Sequence, residues 1–321
     1  MTIEAIIPAR LDLAAVVEDS VRVADEVVAV TIRTTADDLP QWEPGAHLDI
    51  ELPGGIIRQY SLCGDPDDRR RLRIAVLREQ ESRGGSRAVH DLAVGTSVRI
   101  LAIRNHFPLD AADHYVFVAG GIGIAPLLPM IAHAEASGAP WVLHYAGRSI
   151  SSMAYADALV DQHGPRIALY AREEGARLDL DAVIAGAPTD AGLYCCGPAG
   201  MMEQFEQACL MHDRDGHMER FAAAADKSAD IVRPDDEAFE VHLARTGVTV
   251  QVQPGQSILA VAEEAGGDVF GSCEEGICGT CETRVIEGNV DHRDDVLCGR
   301  DTGTMMICVS RALSRRLVID A

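Results

Sequence analysis

The first hundred residues alternate short apolar, β-branched runs with clusters of glycine, proline and aspartate. The runs that predict strands cover residues 26–32, 47–52, 72–77 and 97–103. Turn-forming residues such as Pro44 and Gly45 separate them. Short strands at this spacing are typical of antiparallel sheets that close on themselves. The pattern therefore predicts an antiparallel β-barrel over residues 1–108.

The hydrophobic pattern changes after residue 108. Continuous apolar runs predict buried strands over residues 115–119, 141–146, 167–170 and 192–196. The first of these runs is followed by a long apolar segment that contains Leu127 and Met130, and this segment predicts a helix. Buried strands that alternate with helices form parallel sheets. Residues 109–221 are therefore predicted to form an α/β domain.

The last third of the chain is predicted to form a small domain behind a linker. Residues 222–236 have no hydrophobic periodicity, which is typical of a linker. Two strands are predicted over 239–243 and 248–252, and a helix over 258–265. Two strands followed by a helix and a loop predict a β-grasp domain over 237–321. The sequence thus predicts a multidomain α/β and β protein.

The loop after that helix carries three cysteines in a C-x4-C-x2-C spacing: Cys273, Cys278 and Cys281. This is the ligand spacing of a plant-type [2Fe-2S] cluster. Glycines within the loop let the backbone approach the cluster and direct its N–H groups at the sulfurs. A zinc knuckle is the alternative, but zinc sites usually combine two short cysteine pairs. The spacing predicts a ferredoxin-type β-grasp domain.

The fourth ligand has two candidates. Cys308 lies in an apolar run that predicts a strand passing behind the loop, and it follows Cys281 after 26 intervening residues. Cys298 lies in a polar segment that is typical of a turn. The apolar setting favours Cys308, and Cys298 remains the alternative.

Composition limits the possible partners and the compartment. The chain has 321 residues, 47% of them hydrophobic, and a net charge of −22, which disfavours nucleic-acid binding. The acidity predicts either solubility alone or attraction to a basic protein partner. We expect no membrane span, because no apolar run approaches 18 residues. Nine cysteines without a secretory signal predict reduced thiols and a cytoplasmic location.

The barrel segment contains two motifs that suit a flavin. Arg58, Tyr60 and Ser61 lie at the end of a predicted strand, where a guanidinium, an aromatic ring and a hydroxyl project together. Such groups stack on a flavin and bind its phosphate and ribityl oxygens. The second motif is the tripeptide Gly84, Gly85 and Ser86. Small residues in a turn form a nest of N–H groups that binds phosphate.

Two turns of the α/β segment suit a dinucleotide. The first contains Gly121 and Gly123, directly after a predicted strand and before a helix. Glycines there allow a pyrophosphate to approach the helix N-terminus. The second turn comprises Cys196, Gly197 and Pro198, again after a strand. Two such turns at one edge of a sheet can bracket one dinucleotide.

Arg148 and Ser149 follow the second predicted strand of the α/β segment, near the expected position of an adenosine ribose. An arginine and a serine there can bind a 2′-phosphate, which favours NADPH. Acid/base and nucleophilic constellations are not evident, so no catalytic side chain is predicted.

The order of the motifs resembles the phthalate dioxygenase reductase and vanillate demethylase oxidoreductase family over essentially the whole chain. The motifs are Arg58-Gln-Tyr60-Ser61, Gly84-Gly85-Ser86, Gly120-Gly-Ile-Gly-Ile-Ala-Pro126, Cys196-Gly-Pro198 and the C-terminal cysteines. The resemblance implies a flavin domain like that of ferredoxin–NADP reductases, with FMN in preference to FAD. It also implies a domain for NADH, in preference to NADPH, and a plant-type ferredoxin domain.

The resemblance assigns roles to the motif residues. Arg58, Tyr60 and Ser61 would hold the flavin, and residues 84–86 its phosphate. The nicotinamide site would be lined by Gly121, Gly123, Cys196, Gly197 and Pro198. Phe221 would place an aromatic ring beside the flavin. The implied function is electron transfer from NADH through FMN and the cluster to a Rieske-type terminal oxygenase or O-demethylase that acts on an aromatic acid. A haem-thiolate monooxygenase as acceptor, and a redox sensor without turnover, are the alternatives.

Overall fold

The computed structural model describes residues 11–35, 39–80, 84–221, 233–294 and 303–321. These residues divide into two compact units, one within residues 10–220 and one within residues 221–321. The first unit contains two sheets and the second contains one larger sheet and a short strand pair. Cys298 and residues 222–232 of the predicted linker lie outside the described residues.

The first sheet has six antiparallel strands. They are β1 (Leu13–Ala24), β2 (Val27–Thr34), β3 (Ala46–Leu52), β4 (Ile56–Ser61), β5 (Arg71–Leu77) and β6 (Ser97–Asn105). Their order is β4-β3-β6-β1-β2-β5. An antiparallel bridge between Leu62 and Ile74 joins the two ends, so the sheet closes as the predicted barrel. A short helix, α1 (Gly85–His90), follows β5.

Strand β1 is absent from the sequence-based prediction. Its apolar residues are interrupted by Glu18, Asp19 and Ser20, a run typical of a turn. The pairing with β2 shifts register between Val17 and Asp19, so a bulge accommodates the polar run within one continuous strand.

The second sheet has five parallel strands in the order β11-β10-β7-β8-β9. They are β7 (His114–Gly120), β8 (Trp141–Gly147), β9 (Ile167–Ala171), β10 (Ala191–Cys196) and β11 (Gly216–Glu219). The helices of this layer are α2 (Ile124–Ser137), α3 (Ala156–His163), α4 (Leu180–Gly186) and α5 (Ala199–Met211). The predicted α/β architecture is confirmed, although the short strand β11 has no predicted counterpart.

Alternate residues of β7 belong to two different hydrophobic cores. Phe117 packs in a cluster with residues of α2 and α3, whereas Val116 and Val118 pack in a cluster with residues of α4 and α5. Both faces of this sheet are therefore covered, as its continuous apolar strands require. The strand order reverses between β7 and β10, and ligands of α/β sheets bind at the carboxyl ends of strands at such a point.

The third sheet has five strands and mixed directions. They are β12 (Phe239–Leu243), β13 (Val248–Val252), β14 (Glu282–Glu287), β16 (Thr304–Met306) and β18 (Arg316–Ile319). The order is β13-β12-β18-β14-β16, with β12 and β18 parallel. Helix α6 (Ile258–Glu264) packs on this sheet, and β15 (Val290–Asp291) pairs with β17 (Arg311–Ala312). This arrangement agrees with the predicted β-grasp fold.

The predicted strand around Cys308 is shorter than expected. Strand β16 ends at Met306, because the backbone N–H groups of Val309 and Ser310 both donate to the Met306 carbonyl and turn the chain. Cys308 therefore lies in this turn and not in a strand. Among the described residues, no helix combines the length and the apolar character needed to cross a bilayer.

Candidate functional site

The two motifs predicted to bind a flavin pack against each other. Arg58, Tyr60 and Ser61 form the end of β4, and Gly84 precedes the first turn of α1 with a left-handed φ of 91°. A side chain at Gly85 would collide with Arg58, since its Cβ would lie 2.5 Å from the guanidinium Nε. The tripeptide 84–86 therefore begins a short helix beside Arg58, where the sequence predicted only a turn.

Polar groups of these motifs are partly buried. The Arg58 Nη1 group donates to the Ile57 carbonyl at 2.7 Å, and the Ser86 hydroxyl accepts from the Glu79 backbone N–H at 3.2 Å. Burial raises the pKa of Tyr60, so its phenol stays protonated at neutral pH. A cation, a phenol and two hydroxyls therefore lie at one end of the barrel, a set that fits a flavin phosphate and its ring.

The two glycine-containing turns predicted to bracket a dinucleotide also meet. Gly121–Gly123 forms a single 3₁₀ turn, and α2 begins only at Ile124, one turn later than predicted. A Cβ at Gly123 would overlap the carbonyl group of Cys196. A Cβ at Gly120 would lie 2.6 Å from Cδ of Pro198. The turns after β7 and β10 are thus in contact at the carboxyl edge of the sheet, and this small-residue cradle fits a pyrophosphate.

Glu219 is a site residue that sequence reasoning missed. It ends β11, where it pairs in register with Cys196 of β10. Ser61 of the barrel donates its hydroxyl hydrogen to Glu219 Oε2 at 3.0 Å, so the predicted flavin and nucleotide motifs meet at this carboxyl. Burial raises the pKa of Glu219 to about 8, although the Ser61 hydrogen bond acts in the opposite direction. The only sequence signal was its position within the stretch 217–221.

The predicted ribose-binding pair, Arg148 and Ser149, contacts other polar side chains. Arg148 Nε lies 3.8 Å from Glu173 Oε1, and both side chains are more than half exposed. The Glu173 backbone N–H also donates to the Arg148 carbonyl at 2.9 Å. Ser149 caps the next turn, and its hydroxyl contacts that of Ser151 at 3.1 Å. The Glu173 carboxylate therefore places a negative charge beside the Arg148 guanidinium.

Phe221 follows β11 after one residue and keeps 45% of its surface exposed. Its predicted position beside a flavin therefore remains a prediction.

The four cysteines predicted to bind the cluster are brought together in the second unit. Cys278, Cys281 and Cys308 are buried, and Cys273 is partly buried. The thiol of Cys273 contacts those of Cys278 and Cys308, and the Cys308 thiol also contacts that of Cys281. Among the described residues, no group of three or more His, Cys, Asp or Glu side chains is arranged to hold a single metal ion.

The surroundings of the thiols fit a cluster. The Glu275 backbone N–H donates to Cys273 Sγ at 3.3 Å, and Cys278 Sγ lies 3.2 Å from the Thr280 hydroxyl. Contacts with Cys278 and Cys308 lower the pKa of Cys273, whereas contacts with Cys273 and Cys281 raise that of Cys308. A compact, buried thiol set with N–H groups directed at sulfur suits iron–sulfur coordination.

Comparison with known proteins agrees with this geometry. Residues 241–313 match the family model described as the 2Fe-2S iron–sulfur cluster binding domain. The chain is 45% identical over 305 residues to phenoxybenzoate dioxygenase subunit beta of Ectopseudomonas oleovorans, which covers 92% of this chain and 93% of that protein. It is 38% identical over 310 residues to a vanillate O-demethylase oxidoreductase of Pseudomonas sp., which covers 93% and 96%.

Solved structures resemble the whole chain. A phthalate dioxygenase reductase has 33% identity and a TM-score of 0.70, and the match covers 97% of this chain and 98% of that one. An intact type IV self-sufficient cytochrome P450 monooxygenase has 41% identity and a TM-score of 0.86; the match covers 97% of this chain but only 41% of that longer protein. The chain belongs to the family of phthalate dioxygenase reductase and vanillate O-demethylase oxidoreductase, flavin iron–sulfur oxidoreductases that use FMN, NADH and a [2Fe-2S] cluster.

Proposed function

We propose that this chain is the reductase component of a two-component, Rieske-type aromatic oxygenase or O-demethylase. The observation that carries the proposal is that one chain combines a barrel end that fits a flavin phosphate, two contacting glycine turns that fit a dinucleotide, and four clustered thiols. We also propose the domain boundaries 1–108, 109–221 and 237–321 with a linker at 222–236. None of the eight cysteines that the structure describes forms a disulfide, which supports a cytoplasmic setting.

The motif residues have distinct proposed roles. Arg58 and residues 84–86 bind the FMN phosphate, Tyr60 lies against the ring and Ser61 contacts its polar edge. Gly121, Gly123 and the turn 196–198 bind the nicotinamide dinucleotide. The cofactors supply the chemistry, in which a two-electron hydride donor is converted into a source of single electrons. The protein contributes binding, orientation and exclusion of water, and Phe221 is proposed to cover the flavin.

We propose NADH as the electron donor. Arg148 alone would attract the 2′-phosphate of NADPH, but the Glu173 carboxylate lies 3.8 Å from its guanidinium. A carboxylate in this position repels a phosphate and can accept hydrogen bonds from ribose hydroxyls. Residue types alone favour NADPH at this position, and the neighbouring carboxylate supports NADH.

A haem-thiolate monooxygenase is the second candidate acceptor. The similarity to the reductase part of a self-sufficient cytochrome P450 monooxygenase favours it. The two candidates share every step within this chain and differ only in the protein that receives the electrons.

The proposal is tested with the cofactor-loaded protein. We expect NADH to reduce cytochrome c continuously, with NADPH much slower. We then expect turnover of an aromatic acid when purified Rieske oxygenases are added, and none when a haem-thiolate monooxygenase replaces them. Turnover only with the haem protein would support the second candidate, and no NADH-driven reduction of any acceptor would refute the reductase function.

A further inference from the structure

His47 lies beside the carboxyl that joins the two halves of the first unit. It is on β3, where it pairs in register with Ser61 of β4. Its Nδ1 lies 3.8 Å from Glu219 Oε1, while Ser61 donates to the other oxygen, Oε2, at 3.0 Å. One carboxyl group therefore faces an imidazole on one side and a hydroxyl on the other.

The imidazole is buried without a conventional partner. The His47 side chain is 3% exposed and the Glu219 side chain 13%. Within the part of the chain that the structure describes, neither ring nitrogen of His47 makes a hydrogen bond. A buried polar group without a hydrogen-bond partner lowers the stability of the fold. The buried His47 imidazole is therefore a candidate for a functional role.

Further titratable and charged groups lie near His47 and Glu219. His106, which follows β6, stacks on His47 with ring centroids 5.2 Å apart. Arg104 of β6 carries a positive charge nearby, but it forms a buried ion pair with Asp49 of β3. Cys196 of β10 adjoins Glu219 and is fully buried, and burial keeps its thiol protonated.

We propose that His47 is a positioning residue for hydride transfer: its neutral imidazole accepts a hydrogen bond from the protonated Glu219 carboxyl and so keeps this carboxyl uncharged beside Ser61. The proposal rests on the proposed function, because Ser61 lies in the proposed flavin site. A separation of 3.8 Å is longer than a hydrogen bond, and such contacts tighten when cofactor and substrate are bound.

The protonation state of Glu219 sets the charge beside the proposed flavin site. Hydride transfer moves two electrons and one proton from the nicotinamide, which is oxidised, to the flavin, which is reduced. His47 and Glu219 neither gain nor lose a proton in this step. The flavin gains a negative charge, and an ionised carboxylate nearby opposes it. A neutral imidazole that accepts a hydrogen bond from the carboxyl O–H stabilises the protonated form of Glu219 and delays its ionisation as the pH rises.

The first experiment measures hydride transfer from NADH in the FMN-loaded protein by stopped flow between pH 6 and 9. We expect the rate to fall at alkaline pH as Glu219 ionises. In His47→Asn the midpoint of this fall should move down by about one pH unit, because the amide donates to the carboxylate and favours its ionised form. His47→Gln, which offers the same group on a longer side chain, should move it in the same direction. The control is His133→Gln, on the exposed surface of α2, which should leave the profile unchanged.

The second experiment reads the carboxyl directly. In the FMN-loaded protein with ¹³C-labelled glutamate, the Glu219 carboxyl signal should titrate with the same midpoint as the rate and should shift with it in both His47 variants. A Glu219 titration and rate profile that coincide with those of the wild type would overturn the proposal, even if the variants are less stable. The carboxyl signal is independent of turnover, so it also tests the pair if the wild type lacks NADH-dependent reduction, which would instead refute the proposed function.

Discussion

At the scale of single residues, Cys308 lies near the other candidate ligands although its predicted secondary structure is wrong. Its apolar neighbours predict a strand, yet it lies in a turn after β16. Its thiol nevertheless contacts those of Cys273 and Cys281. A turn brings the sulfur to the cysteine loop as effectively as the predicted strand.

Replacing Cys308 by serine should destroy or distort the cluster signal. A cluster ligated by three thiolates and one hydroxyl is weakened, because the irons bind thiolate better than a hydroxyl. We expect loss of the visible absorption and electron paramagnetic resonance of the cluster, while NADH still reduces the flavin. The matched control is Cys209→Ser, a buried thiol of α5 outside the cysteine loop. A normal cluster in Cys308→Ser together with loss in Cys298→Ser would assign the fourth ligand to Cys298.

At the scale of elements, the turns after β7 and β10 are fixed by mutual contact. The overlap that a Cβ at Gly123 would make with Cys196 leaves space for hydrogen alone. This contact does not follow from the conformation of either turn alone. It requires β7 and β10 to be neighbours in the sheet.

Gly123→Ala should weaken NADH binding and leave the flavin bound. Overpacking of this kind costs about 1–3 kcal/mol, and if half of that falls on the nucleotide site the KM for NADH rises about two- to twelvefold. Steady-state kinetics with ferricyanide and the FMN content of the purified variant measure the two effects. Gly186→Ala, where a Cβ meets nothing within 4 Å, is the control. An unchanged KM in Gly123→Ala would show that the two turns can separate without affecting NADH.

Another element-scale contact fixes the start of the β-grasp unit. Asp236, the last residue of the predicted linker, pairs with Arg293 at 3.0 Å from its Nη1, and both side chains are 4% exposed. Arg311 Nε lies 3.6 Å from the same carboxylate. The Arg293 hydrogen bond is the main cause that lowers the pKa of Asp236 to about 2. Ion pairs with Arg293 and Arg311 therefore hold the end of the predicted linker against the second unit.

Asp236→Asn should destabilise the second unit, because it removes one of the two carboxylates that pair with the buried Arg293 guanidinium, while Asp291 remains at 2.6 Å. Weakening a buried hydrogen bond between charged groups in this way costs about 1.5–3 kcal/mol. An acid with a lowered pKa stabilises the fold above its usual pKa of about 3.9, and this contribution is lost as the pH falls towards 2. The deficit should therefore be constant between pH 6 and 8, as measured by the temperature at which cluster absorbance is lost. Asp235→Asn, at an exposed neighbour, should have little effect. Equal melting temperatures for both variants would contradict the anchor.

At the scale of the whole molecule, charge is the dominant property. A net charge of −22 produces a negative field that attracts cations and repels anions. The field acts on an encounter with an electron acceptor, and salt screens it.

The charge predicts opposite salt effects for two acceptors. Cytochrome c reduction in the presence of NADH should slow several-fold between about 20 and about 200 mM salt, because the cationic acceptor loses its attraction. Ferricyanide reduction should accelerate, because the trianion loses its repulsion. Initial rates at low acceptor concentration, where encounter limits the rate, measure both effects. Equal responses would indicate that charge near the exit site, and not net charge, governs the encounter.

Sequence alone determined the architecture and the positions of the two glycine turns, and it predicted the cysteine ligands. These features are written in short segments, since a strand, a helix start or a cysteine loop depends on neighbours a few residues away. The sequence did not reveal β1, whose polar middle reads as a turn, or β11, which has only four residues.

Only the tertiary structure decided that Ser61, Glu219 and His47 meet. Ser61 and Glu219 are 158 residues apart in the chain, and their hydrogen bond joins strands of two different sheets. No periodicity encodes such a pairing, because it follows from how both sheets pack. The same holds for the Glu173 carboxylate, which lies 3.8 Å from the Arg148 guanidinium and supports the proposal of NADH in preference to NADPH. Short sequence segments determine the strands, the turns and the cysteine loop, whereas the packing of distant segments determines which charged groups face each other.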